Sequence, residues 1–460
     1  FGDILVVSVT DDNHVNKGPG RPAFSISNRI KFLQEISSID FVYISSFDTA
    51  VNVIENLKPN FYCKGFDYSS SHDQIDQNLK KEKYAINFVK GKFKIINQPS
   101  FSSSKFINDN DFQNLNIDGK KFIELIRKKY GLNNILEAIK KIENKKVLVI
   151  GETIIDKYVE TESIGKSGKE PVLVVKQLKE INFLGGASYI SNLCASFVKK
   201  IKILSFLGSQ NTKKKFVLKN LCNNVEHKFL LKSNSPTITK LRYIDYYKKT
   251  KLIGVYDLND DSISKTEEKV FYSQLKKNIK KYNLIIIADY GHGIITNKIR
   301  QLISKNSKKI FLNTQLNSFN RGHHTVFKYK KVNTLVMNES ELRYELRDKN
   351  SKIVDLIKKL KKKISAENII ITRGKLGAVI NNSRSKLTIS CPAFNQTNND
   401  TVGSGDTFFG LCSLALAAKI DPQLSMFIAS VGANFSIDQI GNKSIFNLNI
   451  LKKFLNHVLK

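Results

Sequence analysis

The sequence predicts an α/β protein of two or three domains, because strand-like and helix-like patterns alternate along a long chain. Short runs rich in Val, Ile and Leu, such as residues 147–150 and 284–288, are typical of buried parallel strands. Segments with apolar residues at helical intervals separate these runs, as the crossovers of a parallel sheet require. The 460 residues exceed what one ordinary core accommodates, so we expect separate domains.

The composition is that of a globular chain with a large excess of positive charge. Hydrophobic residues make up 41% and charged residues 25% of the chain, and the formal net charge is +33. A positive charge of this size suggests nucleic acid or an anionic membrane as a binding partner. The excess is mostly lysine scattered through every segment, however, without an arginine-rich stripe or an interleaved aromatic platform. We therefore expect a solvated lysine surface that attracts phosphorylated substrates, and neither a nucleic acid nor a membrane partner.

The cysteines and the hydropathy pattern predict a cytoplasmic protein. No apolar run reaches the roughly 20 residues of a membrane span, and no signal peptide is visible. The cysteines are odd in number and their spacing fits neither a metal site nor a disulfide framework, so we expect reduced thiols. They are Cys63, Cys194, Cys222, Cys391 and Cys412.

Residues 1–108 are predicted to form a small doubly wound sheet, whose ligands would bind at the carboxyl ends of its strands. Polar loops follow three of the strands, at 10–22, 64–68 and 102–107. The predicted strands cover 4–9, 41–44, 60–63 and 94–96, and the predicted helices cover 25–37 and 48–57.

These loops resemble the nucleotidyltransferase half of the bacterial ADP-heptose synthases, within the cytidylyltransferase-like superfamily. The matching pieces are Val-Ser-Val-Thr-Asp-Asp, Lys-Gly-x-Gly-Arg-Pro, Lys-Gly-x-Asp-Tyr and Ser-Ser-Ser-x-x-Ile. The resemblance implies a Rossmann-like nucleotidyltransferase domain with Asp11 in its site. By the same resemblance, phosphates would face Lys17, Arg21 and Arg29. The sugar-phosphate and nucleotide pocket would be lined by Lys64, Gly65 and Asp67, and the helix that touches the triphosphate would be capped by Ser102, Ser103 and Ser104.

One motif of that family is absent from the sequence. The His-x-Gly-His motif, which holds the nucleotide phosphates in the family, should precede Phe1. We expect it in a longer chain, and a naturally inactive domain is the alternative.

Residues 109–143 are predicted to be a helical connector, because their apolar residues recur at helical intervals. An interaction helix is the alternative. The apolar positions are Phe122, Ile123, Leu125, Ile126, Leu132, Ile135, Leu136 and Ile139.

The stretch Asn-Asp-Thr-Val-Gly-Ser-Gly-Asp at 399–406 predicts an anion site at the start of a helix. Gly403 and Gly405 let the backbone approach a ligand closely, and the apolar run at 411–417 predicts the helix whose first-turn N–H groups would face that ligand. Asp406 is then either a charge that stabilises the first turn or a base that accepts a proton from an attacking hydroxyl. A glycine loop that only caps a helix is the alternative.

From residue 144 to 460 the chain resembles the ribokinase, or PfkB, family of carbohydrate kinases, and most closely the kinase half of the ADP-heptose synthases. The motifs that carry the resemblance are Gly-Glu-Thr-Ile-Ile-Asp, Gly-Gly-Ala-Ser-Tyr, Pro-Thr-Ile-Thr-Lys-Leu-Arg, Asn-Glu-Ser-Glu and Gly-Ser-Gly-Asp. It implies a ribokinase-like three-layer α/β/α domain with a small β lid. Candidate lid strands lie at 172–176 and 237–255, and dimerisation through them is expected by analogy.

The same resemblance implies the roles of individual kinase residues. Asp406 would be the base, with the N–H groups of Gly403, Ser404 and Gly405 facing the transferred phosphoryl group. Glu341 would organise the water shell of Mg²⁺. Residues implied to bind the sugar substrate are Asp156, Gly185, Gly186, Asn192, Lys240, Arg242 and Asp289. Residues implied to bind ATP are Asn338, Glu341, Thr372, Gly374, Gly377 and Asn434.

Some positions depart from the family pattern. The family usually has a lysine near the position of His292. The side chain of His292 either binds a phosphate or has a structural role. Asn313 replaces a common strand-terminal Asp, and Tyr189 replaces a frequent Asn. His323 and His324 have no third ligand at metal spacing, so no metal site is predicted there.

Together the two resemblances imply a bifunctional enzyme that phosphorylates a sugar phosphate and makes an ADP-heptose-like nucleotide sugar for surface polysaccharide such as lipopolysaccharide. Its transferase would precede its kinase, the reverse of the commonest order, and the choice between ATP and CTP at the transferase stays open. One alternative is a kinase for another sugar with an inactive transferase domain. The other is a catalytically weakened scaffold or basic nucleic-acid-binding protein.

Overall fold

The computed structural model describes residues 2–15, 22–65, 73–96, 116–317, 319–384, 387–394, 402–437 and 445–459, with the backbone alone for 73–77. The chain divides into two compact units. The first comprises Phe1–Asn114 and Lys452–Lys460, and the second comprises Leu115–Leu451. In the described part of the chain, no helix is long and apolar enough to cross a membrane.

The first unit alternates strands and helices, as predicted. Strand β1 pairs with β2 and strand β3 pairs with β4, and both pairs are parallel. Its small core centres on Ile54, Ala85 and Ile86. The helix α3 is missing from the sequence prediction because its many lysines obscure the apolar stripe. The elements are β1 (Val6–Thr10), α1 (Ile26–Gln34), β2 (Phe41–Ser45), α2 (Val51–Leu57), β3 (Phe61–Gly65), α3 (Asp73–Phe88) and β4 (Lys92–Ile96).

The second unit begins with two helices, α4 (Ile117–Tyr130) and α5 (Leu132–Glu143), in the region predicted to be a helical connector. Phe122 of α4 packs against Phe394 and Phe427, with ring centroids 6.5 and 6.4 Å away. These helices therefore bury their apolar face within the second unit.

The remaining strands of the second unit form a large sheet and a small one. The large sheet has the order β17-β16-β15-β14-β13-β12-β5-β8-β9, and it is parallel except at the β15-β16-β17 edge. The strands are β5 (Lys146–Gly151), β6 (Thr153–Lys166), β7 (Leu173–Gly185), β8 (Lys200–Gln210), β9 (Val225–Pro236), β10 (Thr239–Asp245), β11 (Lys251–Asp257), β12 (Leu284–Asp289), β13 (Ile310–Thr314), β14 (Lys331–Asn338), β15 (Ser365–Thr372), β16 (Ala378–Asn382) and β17 (Thr388–Cys391).

Helices cover both faces of the large sheet, which gives the predicted three layers. On one face α8 to α11 pack into a core with alternate residues of β5 and β12, such as Leu148, Ile150, Ile285 and Ile287. On the other face α6 and α12 contact β5 and β12. The helices are α6 (Gly186–Ala195), α7 (Lys214–Asn220), α8 (Lys265–Ile279), α9 (Asn297–Lys305), α10 (Glu339–Leu346), α11 (Ile353–Lys361), α12 (Ser404–Ala417), α13 (Pro422–Ile437) and α14 (Leu448–Val458).

The small sheet is the predicted lid, and its strand order is β11-β10-β6-β7. Strand β6 follows β5 after a single residue, so the chain runs directly from the large sheet into the lid. In the parallel pair of β10 and β6, Lys240 lies opposite Asp156 and Arg242 lies opposite Tyr158. This register brings a carboxylate and two cations together where the lid joins the large sheet.

Candidate active site

A cavity of about 830 Å³ lies in the second unit, bounded by the lid, the carboxyl ends of β13 to β15 and the start of α12. Open parallel sheets bind ligands at this end of their strands. Most of the kinase residues predicted from sequence line the cavity. They are Asp156, Gly186, Lys240, Arg242, Asn338, Glu341, Thr372, Gly374, Gly377, Gly403, Ser404, Gly405, Asp406 and Asn434.

The glycine loop turns into helix α12 at Gly403, whose φ of 83° lies in the left-handed region that favours glycine. The helical hydrogen-bond ladder begins with Thr407 N, which donates to Gly403 O at 2.9 Å. The N–H groups of Gly405 and Asp406 precede that ladder, at the positive end of the helix dipole. This geometry suits an anion and places the Asp406 carboxylate beside it.

Asp406 is held by a residue that sequence reasoning missed. The hydroxyl of Tyr290 donates to Oδ1 of Asp406 at 2.6 Å, and both side chains line the cavity. Burial raises the pKa of Asp406 to about 6, while the Tyr290 hydrogen bond opposes the rise. A carboxyl with such a pKa is ionised at neutral pH yet basic enough to accept a proton.

Asp156, which also lines the cavity, is held by Arg242, whose Nη1 donates to Oδ1 at 2.6 Å. A Cβ on Gly185 would collide with Oδ2 of Asp156, and a Cβ on Gly186 would collide with the carbonyl oxygen of Glu152. Gly186 also has a φ of 56°. Gly185 is therefore required for the carboxylate of Asp156 to lie against the backbone, and Gly186 is required by the turn that follows.

Lys240 presents a buried positive charge to the cavity. The residue is only 8% exposed, and no carboxylate lies within salt-bridge distance of its ammonium group among the residues that the structure describes. The ammonium lies over the rings of Tyr256 and Tyr290, 5.8 and 6.0 Å from their centroids. Burial lowers the pKa of Lys240, although Asp156 and Asp406 favour the charged form. A buried cation of this kind is suited to an anionic ligand.

The far end of the cavity is built around helix α10. Asn338 caps the helix, and Oε2 of Glu341 accepts from Asn338 N at 2.9 Å in a capping box. The other oxygen of Glu341 accepts from Leu316 N at 3.1 Å. Burial raises the pKa of Glu341 to about 7, and these two N–H groups oppose the rise. A nearby cation would therefore favour the ionised form.

A turn that contains two glycines and the buried amide oxygen of Asn434 complete that end. Gly374 and Gly377 have φ values of 55° and 80°, and a Cβ on Gly377 would collide with the carbonyl oxygen of Cys391. Asn434 Oδ1 is buried and accepts no hydrogen bond from the described residues. An unsatisfied buried oxygen at the cavity wall is suited to a ligand that donates a hydrogen bond, such as an exocyclic amine.

Residues 144–446 match the pfkB family carbohydrate kinase. This chain belongs to that family. Solved structures agree on the fold: phosphofructokinase-2 from Escherichia coli superposes with a TM-score of 0.55 at 14% identity, over 69% of this chain and 100% of that chain. Ribokinase from Arabidopsis thaliana, complexed with ribose and ATP, gives a TM-score of 0.50 at 14% identity, over 69% and 99%. The ribokinase-like α/β/α fold predicted from sequence is thus confirmed.

Bifunctional HldE proteins are similar in sequence to this kinase. The HldE protein of Aliarcobacter butzleri is 29% identical over 308 residues, which is 64% of this chain and 61% of that protein. The HldE protein of Campylobacter jejuni strain RM1221 is 26% identical over 306 residues, which is 66% and 63%. The chain therefore covers less than two thirds of the length of these relatives.

Three residues predicted to bind the kinase substrate do not line the cavity: Gly185, which lies against Asp156, and also Asn192 and Asp289. Asn192 bonds to the end of α7 and the loop after it: its Nδ2 donates to Asn220 O at 2.7 Å, and its Oδ1 accepts from Cys222 N at 2.9 Å. Asp289 is turned toward Tyr329, whose hydroxyl donates to Oδ2 at 2.7 Å. Neither side chain is placed to bind the substrate. The turn after β12 directs Tyr290, the next residue, into the cavity instead.

His292, His324 and Tyr189, which depart from the family pattern, have structural contacts in the second unit. His292 is buried with Nδ1 2.8 Å from Asp260 Oδ1, and it lines a separate cavity of about 20 Å³. His324 lies 3.8 Å from Asp289. The hydroxyl of Tyr189 lies 2.7 Å from Thr407 Oγ1, which donates to Gly403 O at 3.0 Å. Tyr189 therefore supports the start of α12, and its presence does not indicate a weakened site.

The structure describes part of the predicted nucleotidyltransferase site in the first unit. Arg29 donates to Asp12 Oδ1 at 2.6 Å, and Lys64 lies 2.6 Å from Glu82 Oε2. Asp11 Oδ1 accepts from Asn13 N at 2.6 Å, and Gly65 ends β3. The other predicted members lie outside the described residues, so this site stays a prediction. They are Lys17, Arg21, Asp67, Ser102, Ser103 and Ser104.

Proposed function

We propose that the second unit transfers the γ-phosphoryl group of ATP to a hydroxyl of a sugar phosphate of the heptose 7-phosphate type. Membership of the pfkB family, the similarity to HldE proteins and the fold shared with a ribokinase complexed with ribose and ATP support this proposal. The observation that carries it is the carboxylate of Asp406, held in the first turn of α12 and in the same cavity as Asp156 and Lys240.

The proposed reaction is one in-line displacement. The free carboxylate oxygen of Asp406 accepts the proton of the sugar hydroxyl as the hydroxyl oxygen forms its bond to the γ-phosphorus. The bond between that phosphorus and the β,γ-bridging oxygen breaks, and ADP leaves with the electron pair. First-turn N–H groups of α12 stabilise the negative charge on the transferring oxygens. The products are ADP and a sugar bisphosphate, with the proton on Asp406.

The proposed ligands divide the cavity between them. Asp156 would accept hydrogen bonds from sugar hydroxyls, because Arg242 holds its carboxylate against the backbone at Gly185. Lys240 and Arg242 provide positive charge for the phosphate that the sugar already carries. The nucleotide would lie between α10 and α13, where the glycine turn at 374–377 admits it and Asn434 offers an unpaired oxygen.

The carboxylate oxygens of Glu341, at the proposed nucleotide end of the cavity, are ligands of the type that Mg²⁺ and its bound waters prefer. Glu341 offers a carboxylate whose oxygens each accept one N–H group and keep a second lone pair for water. Among the described residues, no three His, Cys, Asp or Glu side chains are grouped to hold a metal ion directly. Mg²⁺ that keeps several waters and binds the nucleotide phosphates needs no such group. When bound, it would neutralise charge on the phosphates.

The substitution Asp406→Asn tests the kinase proposal. We expect the protein to convert a seven-carbon sugar 7-phosphate and ATP to ADP and a sugar bisphosphate in the presence of Mg²⁺. An amide in place of the Asp406 carboxylate cannot accept the proton, so kcat of the variant should fall by about 10²-fold or more. Production of ADP and of the phosphorylated sugar, followed by a coupled assay and by ³¹P NMR, measures both activities.

Asp118→Asn is a matched control, because Asp118 also lies in the first turn of a helix but is exposed and does not line the cavity. This variant should keep wild-type activity. Equal activity of the wild type and Asp406→Asn would refute the role of Asp406. Inert wild-type protein across a panel of sugar phosphates would refute the kinase activity itself.

We also propose the domain arrangement 1–108 nucleotidyltransferase, 109–143 helical connector and 144–460 kinase, in a cytoplasmic enzyme of ADP-heptose-like synthesis. The sequence motifs of the first unit and the similarity to bifunctional HldE proteins support it. The kinase would then phosphorylate the anomeric hydroxyl, and the transferase would activate a sugar 1-phosphate. The alternative is an inactive transferase, in which Arg29 and Lys64 would stay paired with Asp12 and Glu82.

We further propose a homodimer that pairs through the lid. Several apolar side chains of the lid strands are exposed, and such a patch is typical of an interface. They include Ile164, Leu173, Ile253 and Val255.

A further inference from the structure

Tyr290 stands directly after the fully buried strand β12 and is itself buried, with 2% of its surface exposed. Its hydroxyl is the donor to Asp406 Oδ1 at 2.6 Å. A phenol at this distance from a carboxylate forms a strong, charge-assisted hydrogen bond. The two residues are 116 positions apart in the chain, so the contact depends on the tertiary fold.

The backbone of Tyr290 is held on both sides. Its N–H donates to Glu152 Oε2 at 3.0 Å, and its carbonyl oxygen accepts from Asn317 Nδ2 at 3.0 Å and from Asn320 Nδ2 at 2.8 Å. The next residue, Gly291, has a φ of 77°, so the turn requires glycine. The backbone that carries the phenol ring is therefore held by several buried polar groups, and the bond to Asp406 holds its hydroxyl.

One oxygen of Asp406, Oδ1, is occupied by this bond, and Asp406 lines the cavity. We propose that Tyr290 is a positioning residue of the phosphoryl transfer: by donating to Oδ1, its hydroxyl orients Asp406 so that Oδ2 receives the proton of the sugar hydroxyl. This inference rests on the proposed role of Asp406 as the base. It adds to that role a residue that touches the base and not the transferred group.

Tyr290 remains a donor over the working pH range. Burial and the Asp406 charge raise the pKa of Tyr290 well above its ordinary value, so the phenol keeps its proton. Within the described part of the chain, the titratable groups that interact with Asp406 are Tyr290 from the turn after β12, Asp156 from β6, Lys240 from β10 and Tyr189 from α6. Asp156 raises the pKa of Asp406, whereas Tyr290 and Lys240 lower it.

Removal of the hydroxyl in Tyr290→Phe should therefore make Asp406 harder to ionise. We expect the acidic limb of log kcat/KM for the sugar against pH to move to higher pH by about one unit, and kcat at pH 7 to fall about ten- to hundredfold, as for loss of a hydrogen bond to a charged group. The KM for ATP should stay within about twofold, because Tyr290 lies at the sugar end of the cavity.

Tyr329→Phe is the matched control. Tyr329 is also fully buried and also donates its hydroxyl to a carboxylate, Asp289, at 2.7 Å, but it does not line the cavity. A general loss of stability would affect both variants, whereas a shift of the acidic limb should appear only in Tyr290→Phe.

A second substitution keeps the proposal testable if Tyr290→Phe does not fold. 3-Fluorotyrosine placed at position 290 keeps the shape of the ring and makes the phenol a stronger donor. It should move the acidic limb to lower pH, opposite to Tyr290→Phe. An acidic limb that stays at the wild-type pH with 3-fluorotyrosine, or with a folded Tyr290→Phe protein, would overturn the inference. Asp406→Asn in the same assays separates failure of this inference from failure of the proposed function. If Asp406→Asn is inert, the proposed function stands even when the inference about Tyr290 is overturned. If Asp406→Asn is active, the proposed function and the inference both fail.

Discussion

Asp156 shows how single residues determine the part of the cavity where we propose that the sugar binds. Its carboxylate is held by Arg242 and lies directly against the backbone at Gly185. The φ of Gly185 is −126°, which any residue adopts, so only the absence of a side chain makes this glycine necessary. The Gly-Gly pair read from the sequence as a substrate loop thus acts through the carboxylate that it accommodates.

Gly185→Ala should displace Asp156 without straining the backbone. The added methyl group would occupy the position of Oδ2, so the carboxylate must rotate away from its bond with Arg242. We expect the KM for the sugar to rise about tenfold or more with little change in the KM for ATP, because a small misplacement of a positioning group costs about this much. Steady-state kinetics with each substrate varied in turn measure both values.

Gly168→Ala provides the control, because a Cβ at Gly168 meets no atom within 4 Å and the residue lies in an exposed bend of the lid. A tenfold rise in the sugar KM of this variant as well would point to a general disturbance of the lid. An unchanged sugar KM in Gly185→Ala would contradict the role assigned to Asp156.

At the scale of elements, the turn after β12 links the large sheet to the proposed catalytic site. Glu152, between β5 and β6, accepts the N–H groups of Tyr290 and His292, both at 3.0 Å. Burial, together with the charge of Asp289, raises the pKa of Glu152 to about 8. One buried carboxyl group therefore holds the turn that positions Tyr290.

This carboxyl group should make the stability of the second unit depend on pH. Its pKa in the folded state lies above the ordinary value, so between about pH 4.5 and 8 the folded protein keeps a proton that the unfolded chain has released. The free energy of unfolding should then fall as the pH rises through this window. Asp406 and Glu341, with raised pKa values of about 6 and 7, act in the same direction.

Glu152→Gln cannot ionise and should flatten this dependence. We expect a smaller decrease in the thermal midpoint from about pH 5 to about pH 8 than in the wild type, measured by scanning calorimetry. Glu226→Gln is the control: its hydrogen bond with Lys202 lowers the pKa of Glu226, so its contribution changes below pH 4.5 and outside the window. Parallel curves for Glu152→Gln and the wild type would refute the assignment.

At the scale of the whole molecule, the two units support two separate activities in our proposal. Asp406 and the residues that line the large cavity all belong to the second unit. The motifs of a nucleotidyltransferase belong to the first. The net charge of +33 is spread over the chain, which suits anionic substrates at either site.

A pyrophosphate assay tests the separation of the two activities. The protein should release pyrophosphate from ATP or CTP when a seven-carbon sugar 1-phosphate is supplied, and Asp406→Asn should retain this activity because Asp406 lies in the other unit. The nucleotide that reacts would also decide between ATP and CTP. Failure to release pyrophosphate from either nucleotide, with an active kinase, would favour the alternative of an inactive transferase domain.

Local sequence patterns were sufficient to predict the buried strands and the start of α12. The apolar runs at 147–150 and 284–288 lie in fully buried strands, because a parallel sheet covered on both faces demands continuous apolar sequence. Gly403 and Asp406 are neighbours in the chain, so a loop that turns into a helix brings them together whatever the rest of the fold. The helix α3, rich in lysine, had no clear apolar stripe and escaped prediction.

The sequence by itself determined the α/β class, the lid and the motif residues that line part of the cavity, since these depend on short-range periodicity and on motifs whose members are close in the chain. Only the tertiary structure decided that Tyr290 and not Asp289 enters the cavity. The choice between two adjacent side chains depends on the turn at Gly291 and on bonds from Glu152, Asn317 and Asn320. Those partners are distant from Tyr290 in the sequence, so a local sequence pattern cannot predict these contacts.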